Sequence, residues 1–205
     1  NAVGGQAADT IIGSSGANRL DGQGGNDSLD GGGGTDSLYG GAGDDTLSQN
    51  TGSTTELMDG GADNDTGDWS YNNFGFPWTI DLAAGTASAT GTTYAQLVSI
   101  ENVIGTQNSD IIIGSSDANR LDGQNGNDSI DGGLGNDSLY GGAGNDTLSQ
   151  NFSASANAEI MDGGADTDTG DWSYSGSNWT IDLAAGTAKL GATTWAQLVS
   201  LENVT

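Results

Sequence analysis

Glycine and aspartate recur at fixed positions of a nine-residue unit, and their spacing suits the chemistry of a calcium site. Five such units run without interruption over residues 4–48 and again over residues 105–149. In the best preserved, GGGGTDSLY and GGAGDDTLS, glycines at positions 1, 2 and 4 allow positive φ, so several carbonyl oxygens can converge. The aspartate at position 6 adds a carboxylate. Calcium takes roughly six to eight oxygen ligands and needs neither cysteine nor histidine, both of which this chain lacks.

The candidate metal ligands fall into three groups: the position-6 residues, the aspartates of one divergent turn per copy, and the loop glycines. Eight position-6 residues are aspartates: Asp9, Asp27, Asp36, Asp45, Asp110, Asp128, Asp137 and Asp146. Asn18 and Asn119 replace the aspartate, and Ala7 and Asn108 replace the position-4 glycine, so we expect weaker sites at the start of each block. The divergent turns, GGADNDTGD and GGADTDTGD, supply Asp63, Asp65, Asp166 and Asp168. The loop glycines are Gly22, Gly24, Gly31, Gly33, Gly40, Gly123, Gly132 and Gly141.

The pattern GGxGxD followed by x-apolar-x resembles the nonapeptide of the RTX (repeats-in-toxin, haemolysin-type) family. The resemblance implies an all-β fold, a right-handed parallel β-roll (β-solenoid), in which two nonapeptides make one turn. The apolar position 8 then points inward, so Leu20 should stack on Leu38 in one sheet and Leu29 on Leu47 in the other.

In such a roll, Ca²⁺ is the cofactor, several ions per repeat unit, each held between one turn and the next turn on the same side. We therefore expect bridging pairs on two sides of each block. They are Asp9 with Asp27, Asp27 with Asp45, Asn18 with Asp36, then Asp110 with Asp128, Asp128 with Asp146, and Asn119 with Asp137.

The chain repeats itself every 101 residues, with Asn1, Asn102 and Asn203 at equivalent positions. This predicts β-roll blocks at residues 1–68 and 104–171, joined by β-rich inter-roll segments of short strands or hairpins at residues 69–103 and 172–205. We interpret the divergent turn as the last turn of each roll, capped by a strand at WSY, residues 69–71. We expect the aromatic residues of these segments to form a small core, with sugar stacking or a subunit interface as the alternative. They are Trp69, Tyr71, Trp78, Tyr94, Trp172, Tyr174, Trp179 and Trp195.

The charge balance points to cations as partners. The chain has 28 acidic and 3 basic residues, a formal net charge of −25, which argues against nucleic acid and anionic membranes. Leu, Ile, Val and Phe make up about 17% of the residues, and a low apolar fraction with high charge is typical of disorder. We therefore expect a disordered calcium-free chain that folds on binding calcium. No apolar run is long enough for a membrane span, and type I export to the extracellular medium or the cell surface is implied by the resemblance alone.

Few residues are suited to catalysis, so we expect no enzyme. Histidine and cysteine are absent, and the only glutamates, Glu56, Glu101, Glu159 and Glu202, are explained as pairs by the duplication. The favoured function is a calcium-stabilised structural segment of a secreted bacterial surface protein: an adhesin stalk, a surface layer or an extracellular filament, with copies meeting end to end. The alternative is a non-catalytic accessory module of a secreted enzyme that aids folding, secretion or polysaccharide binding. Ice binding is disfavoured because the chain lacks a regular outward threonine ladder.

Overall fold

The chain is all-β, as the sequence predicted. The computed structural model describes residues 1–49, 55–72, 75–150, 159–173, 178–190 and 193–205, which form 23 strands and no helix. The described residues therefore contain no helix of the length and hydropathy that crossing a membrane requires. The strands of the first unit are β1 (Ala2–Val3), β2 (Thr10–Ser14), β3 (Arg19–Gly24), β4 (Ser28–Gly32), β5 (Ser37–Ala42), β6 (Thr46–Ser48), β7 (Glu56–Ala62), β8 (Thr66–Asp68), β9 (Trp78–Asp81), β10 (Thr86–Ala89) and β11 (Thr92–Val98). Those that follow are β12 (Asn102–Ile104), β13 (Ile111–Ile113), β14 (Arg120–Asp122), β15 (Ser129–Asp131), β16 (Ser138–Ala143), β17 (Thr147–Ser149), β18 (Glu159–Ala165), β19 (Thr169–Asp171), β20 (Trp179–Asp182), β21 (Thr187–Leu190), β22 (Thr193–Val199) and β23 (Asn203–Val204).

These strands form two sheets that run through both 101-residue units. Sheet 1 has the order β1-β3-β5-β7-β11-β10-β9-β13-β15-β17-β19-β23, and sheet 2 the order β2-β4-β6-β8-β12-β14-β16-β18-β22-β21-β20. Each nonapeptide supplies one strand and one glycine-rich turn, so consecutive strands of a block fall in opposite sheets and pair in parallel with the strand two places along. The result is a parallel β-solenoid, which confirms the predicted fold class.

The core is a narrow column of single apolar side chains. Leu20 pairs with Leu38 in sheet 1, and Leu29 pairs with Leu47 in sheet 2, as predicted. All four side chains are at most 1% exposed. In the second unit, Leu121, Ile130, Leu139 and Leu148 are fully buried in the same way. Because strand side chains alternate, the residues on either side of each leucine face outward, and each strand contributes little more than one large apolar residue to the core.

The inter-roll segment is built into a sheet as a three-stranded antiparallel insert. Strand β10 pairs antiparallel with both β9 and β11, with a bulge between Ala87 and Ser88. The outer strands of the insert then join the parallel stack, since β11 pairs with β7 and β9 pairs with β13 of the next unit. The domain boundaries stay a prediction, but the strands of blocks and inserts share the same two sheets.

The second insert lies in the other sheet. Strands β20, β21 and β22 belong to sheet 2, where β22 pairs with β18, whereas the first insert belongs to sheet 1. On the side opposite each insert the stack continues without a gap, because β8 pairs directly with β12 and β19 with β23. Equivalent residues of successive units therefore occupy opposite sheets.

Most of the aromatic residues form the core of the insert, as expected. Trp69 is fully buried, and its Nε1 donates a hydrogen bond to Gln49 Oε1 at 2.6 Å. The ring of Trp78 lies 5.4 Å from that of Tyr94, between ring centroids. Tyr71 is an exception, being 71% exposed, and Tyr174 lies outside the described residues. The capping strand predicted at residues 69–71 is wrong: β8 ends at Asp68, and the chain then turns to bury Trp69.

Candidate calcium sites

Two columns of carboxylates run along the solenoid, one on each side, at the turn before each strand. On the first side the backbone N–H of Asp9 donates to Asp27 Oδ1 and that of Asp27 donates to Asp45 Oδ1, both at 2.7 Å. The N–H of Asp45 in turn donates to Asp65 Oδ1 at 2.8 Å. Each carboxylate is thereby fixed by one oxygen to the turn that precedes it.

The other predicted pairs have the same arrangement. The N–H of Asn18 donates to Asp36 Oδ1 at 2.7 Å, and that of Asn119 donates to Asp137 Oδ1 at 2.8 Å. In the second unit the column passes from Asp110 to Asp128, from Asp128 to Asp146 and from Asp146 to Asp168, with bonds of 2.7 to 2.8 Å. Every predicted bridging pair is in register, and their ligation of calcium stays a prediction.

The second oxygen of most of these carboxylates has no hydrogen-bond partner although it is buried. Burying a charged oxygen without a partner is costly, so such atoms indicate a missing ligand. The residues concerned are at most 3% exposed, and their unpartnered Oδ2 atoms are those of Asp27, Asp36, Asp45, Asp65, Asp128, Asp146 and Asp168.

The glycines at position 1 bring a carbonyl oxygen to the same place. A Cβ atom at Gly22 would lie 2.6 Å from the carbonyl oxygen of Gly40 and would also collide with Asp27 Oδ2. At Gly123 it would lie 2.7 Å from the carbonyl oxygen of Gly141 and collide with Asp128 Oδ2. The contacts repeat at Gly40 and Gly141, while at Gly31 and Gly132 a Cβ would crowd the carboxylates of Asp36 and Asp137. Gly24 and Gly33 border no carboxylate, so only their backbone carbonyls are candidates.

The described residues fit a hard, oxygen-seeking cation. Among them, no three histidine, cysteine, aspartate or glutamate side chains converge on one point. Each site would therefore combine the free carboxylate oxygens of successive turns with backbone carbonyls, a donor set of oxygen alone that suits Ca²⁺. The ion would neutralise carboxylates that no basic residue reaches, because the salt bridges in the described part of the chain are Arg19–Asp21 and Arg120–Asp122, on the outer faces of the sheets.

Burial makes these carboxylates hard to ionise without a cation. It raises the pKa of Asp128 to about 8 and that of Asp65 to about 7, and neighbouring carboxylates add to both shifts. Backbone N–H donors oppose the shift but do not cancel it. Burial also raises the pKa of Asp137 and of Asp146 to about 6. The pKa values of Asp36, Asp45, Asp110 and Asp168 are raised for the same first cause.

The position-6 residues in the first turns of each block differ from the rest in their hydrogen bonds. Asn18 Oδ1 accepts the N–H of Ser14 at 2.5 Å, and Asn119 Nδ2 donates to the carbonyl of Glu101 at 2.7 Å. Both oxygens of Asp110 are already bonded, to the N–H and hydroxyl of Thr106 and to the N–H of Trp78. A neutral amide or a satisfied carboxylate is a weaker ligand, which supports the expectation of weaker sites there.

In the divergent turns only one of the two predicted aspartates reaches the column. Asp65 and Asp168 are fully buried and take the position-6 role. Asp63 and Asp166 are exposed and adopt φ of 83°, the left-handed conformation that glycine holds in the regular units. They therefore shape the turn in place of the missing glycine.

All four glutamates also occupy the position-6 register, which the sequence reasoning missed. Ser37 pairs with Leu57, and this places Glu56 opposite Asp36; likewise Ser138 pairs with Ile160, and Glu159 lies opposite Asp137. Glu101 and Glu202 accept the backbone N–H of Asp65 and Asp168. The signal was available, because Glu56 follows Asp36 by the same 20 residues that separate Asp65 from Asp45.

Comparison with known families agrees with this geometry. A family model described as the RTX calcium-binding nonapeptide repeat (4 copies) matches residues 3–38, 29–48, 104–139 and 113–148. These matches cover the two nonapeptide blocks, apart from Ser149, and leave the divergent turns, the inserts and all four glutamates outside. No curated protein was found to match the chain.

Proposed function

We propose that this chain, whose two nonapeptide blocks match the RTX calcium-binding repeat and stack in a parallel β-solenoid, is a calcium-stabilised structural segment of a secreted bacterial surface protein. An adhesin stalk, a surface layer and an extracellular filament all need such a segment. The observation that carries the proposal is the continuity of both sheets across the boundary between the two units. Further units would lengthen one continuous solenoid and would not form separate domains joined by linkers.

Calcium would act as the switch for folding. The columns place buried carboxylates on successive turns of the solenoid, an arrangement that is unstable while the carboxylates are charged and without a cation. A ligand that binds only the folded chain adds its binding free energy to stability. A chain that is unfolded at low calcium and folds at high calcium suits export through a narrow channel and folding outside the cell.

We assign the segment no catalytic role. In the described residues, the buried carboxylates of the nonapeptide blocks lie in columns whose spacing follows the strand register. The chain also lacks the histidine and cysteine that most hydrolytic sites use.

The test is the length of the molecule as a function of copy number and calcium. Two units add 11 strands to each sheet, so at about 4.8 Å per strand a doubled chain should be longer by about 50 Å. Small-angle X-ray scattering should show this increase in millimolar calcium, and expanded, flexible chains in excess chelator. A maximum dimension that fails to grow with copy number, or a profile that calcium leaves unchanged, would refute the proposal.

A further inference from the structure

We propose that Glu101, and Glu202 in the second unit, are calcium ligands that close an additional site at the junction between successive 101-residue units. The inference rests on the proposed calcium binding and extends it beyond the nonapeptide motif. Neither glutamate lies in a nonapeptide or in the residues that the family model matches.

The register places Glu101 where a motif aspartate would stand. Strand β12 pairs with β8, and Asn102 lies opposite Thr66. The residues that precede these two, Glu101 and Asp65, therefore also lie opposite one another. The N–H of Asp65 donates to Glu101 Oε2 at 2.9 Å. This bond is equivalent to the one in the preceding turn, where the N–H of Asp45 donates to Asp65 Oδ1 at 2.8 Å. The second unit repeats it, from Asp168 to Glu202 Oε2 at 2.8 Å.

The oxygens needed for a cation converge beside this pair. Asp65 is fully buried, and its Oδ2 has no hydrogen-bond partner. A side chain at Gly60 would collide both with that Oδ2 and with the carbonyl oxygen of Ser99. Gly60 stands in the same relation to Asp65 and Ser99 as Gly22 does to Asp27 and Gly40 in a regular site.

The serine turn replaces the glycine turn. Ser99 has φ of 47° and Ser200 φ of 48°, a conformation that costs energy for any residue with a side chain. Ligand binding would offset the energy cost of this conformation if the conformation orients the serine carbonyl towards the ligand. In unit two the carbonyl oxygen of Ser200 borders Gly163 and Asp168 Oδ2 in the same way.

The shorter turn before Glu101 explains why this position has a glutamate and not an aspartate. In the divergent turn, as in the regular turns, five positions separate the carbonyl donor, here Gly60, from the carboxylate, here Asp65, whereas two separate Ser99 from Glu101. The backbone therefore takes a more direct path, and the extra methylene of glutamate carries the carboxylate to the column. An ion held here would connect β8, the last strand of one block, to β12, the first strand of the next.

The test is the substitution Glu101→Gln, which keeps an oxygen to accept the N–H of Asp65 and removes only the charge. Isothermal titration with calcium should find one ion fewer than in the wild-type chain. Hydrogen exchange in saturating calcium should show at least tenfold faster exchange over residues 102–104, with the first nonapeptide block unchanged. Asp59→Asn is the matched control, because Asp59 is an acidic residue of strand β7 that lies opposite Tyr39, at position 9 of the repeat, and not in the position-6 register of the columns.

The outcomes separate this inference from the proposed function. A wild-type chain that binds no calcium overturns both. A wild-type chain that binds calcium, with Glu101→Gln retaining the full stoichiometry and the same exchange pattern, overturns only the junction site. Circular dichroism of the variant in saturating calcium verifies folding, and Glu202→Gln provides a second, independent measurement if Glu101→Gln fails to fold.

Discussion

At the scale of single residues, each carboxylate in a column has two separate tasks. One oxygen accepts the N–H of the neighbouring turn and fixes the side chain, and the other is left free for a cation. Asn18 and Asn119 show what is lost when the charge is absent, because the amide keeps its structural hydrogen bonds and offers the cation only a neutral oxygen.

The two asparagines should respond differently when the motif is restored. Asn18→Asp keeps the oxygen that accepts the N–H of Ser14, and it should add calcium affinity next to Asp36. Asn119→Asp should gain less, because Asn119 Nδ2 donates to the carbonyl of Glu101, and a carboxylate there would place two acceptors in contact. Calcium titration of both variants measures the difference. An equal gain in affinity would contradict the assigned role of the Glu101 carbonyl.

Glu56 should contribute to the pH dependence of folding in the calcium-free chain. Burial, with Asp36 nearby, raises the pKa of Glu56 to about 8, against about 4.3 in an unfolded chain. Between about pH 4 and pH 8 the Glu56 carboxyl group is therefore protonated in the folded state and ionised in the unfolded state. This contribution to stability is fully present below about pH 4 and is lost as the pH rises through about 8.

Glu56→Gln removes this proton requirement. In chelator with a stabilising osmolyte, wild-type folding should increase on acidification, and the variant should reach half folding at a higher pH. Circular dichroism against pH provides the measurement, with Asp59→Asn as control. Identical curves for variant and wild type would show that Glu56 is ionised in the calcium-free fold.

At the scale of the strand and its turn, glycine is required where a carbonyl and a carboxylate meet. A Cβ at Gly40 would collide with Asp45 Oδ2 and with the carbonyl oxygen of Gly60, whereas one at Gly16 would meet no atom within 4 Å. The motif alone does not separate these two glycines. The difference arises because Gly40 is stacked between neighbouring turns of the column.

This contrast gives a matched pair of substitutions. Gly40→Ala should lower the melting temperature in calcium and weaken at least one calcium site, because the methyl group takes the space of the ligand oxygens. Gly16→Ala should leave calcium binding unchanged and stabilise the fold by up to about 1 kcal/mol, through the lower entropy of the unfolded chain. Thermal melts in calcium and chelator measure both, and equal effects would argue against a cation beside Gly40.

The sequence predicted the regular blocks well and the insert poorly, for a physical reason. The stacking of Leu20 on Leu38 follows from a fixed period, because neighbouring strands of one sheet are 18 residues apart in the sequence. The pairing of β9 with β13 and of β11 with β7 joins residues with no common period. Likewise, Glu56 joins a column through a spacing of 20 residues from Asp36, which a search at multiples of nine does not find. Glu101 follows Asp65 by 36 residues, but the insert occupies this interval in place of four nonapeptides.

At the scale of the whole molecule, the inserts alternate between sheets. The first adds three strands to sheet 1, between β7 and β13, while sheet 2 passes directly from β8 to β12. The second insert adds three strands to sheet 2, while sheet 1 passes directly from β19 to β23. Each insert lengthens one side of the solenoid by about 14 Å, at about 4.8 Å per strand, and the next insert lengthens the opposite side.

Long arrays of this unit should therefore run straight on average, because the bend that one insert imposes is offset by the next. Electron microscopy in calcium of chains extended to four and eight units should show rods with no net curvature. Replacing each unit's first nonapeptide pair with a single nonapeptide would keep the nine-residue turn but change the parity of the strand count, so that every insert falls in the same sheet. Those rods should curve steadily in one direction, and straight rods from both designs would contradict the alternation as the cause.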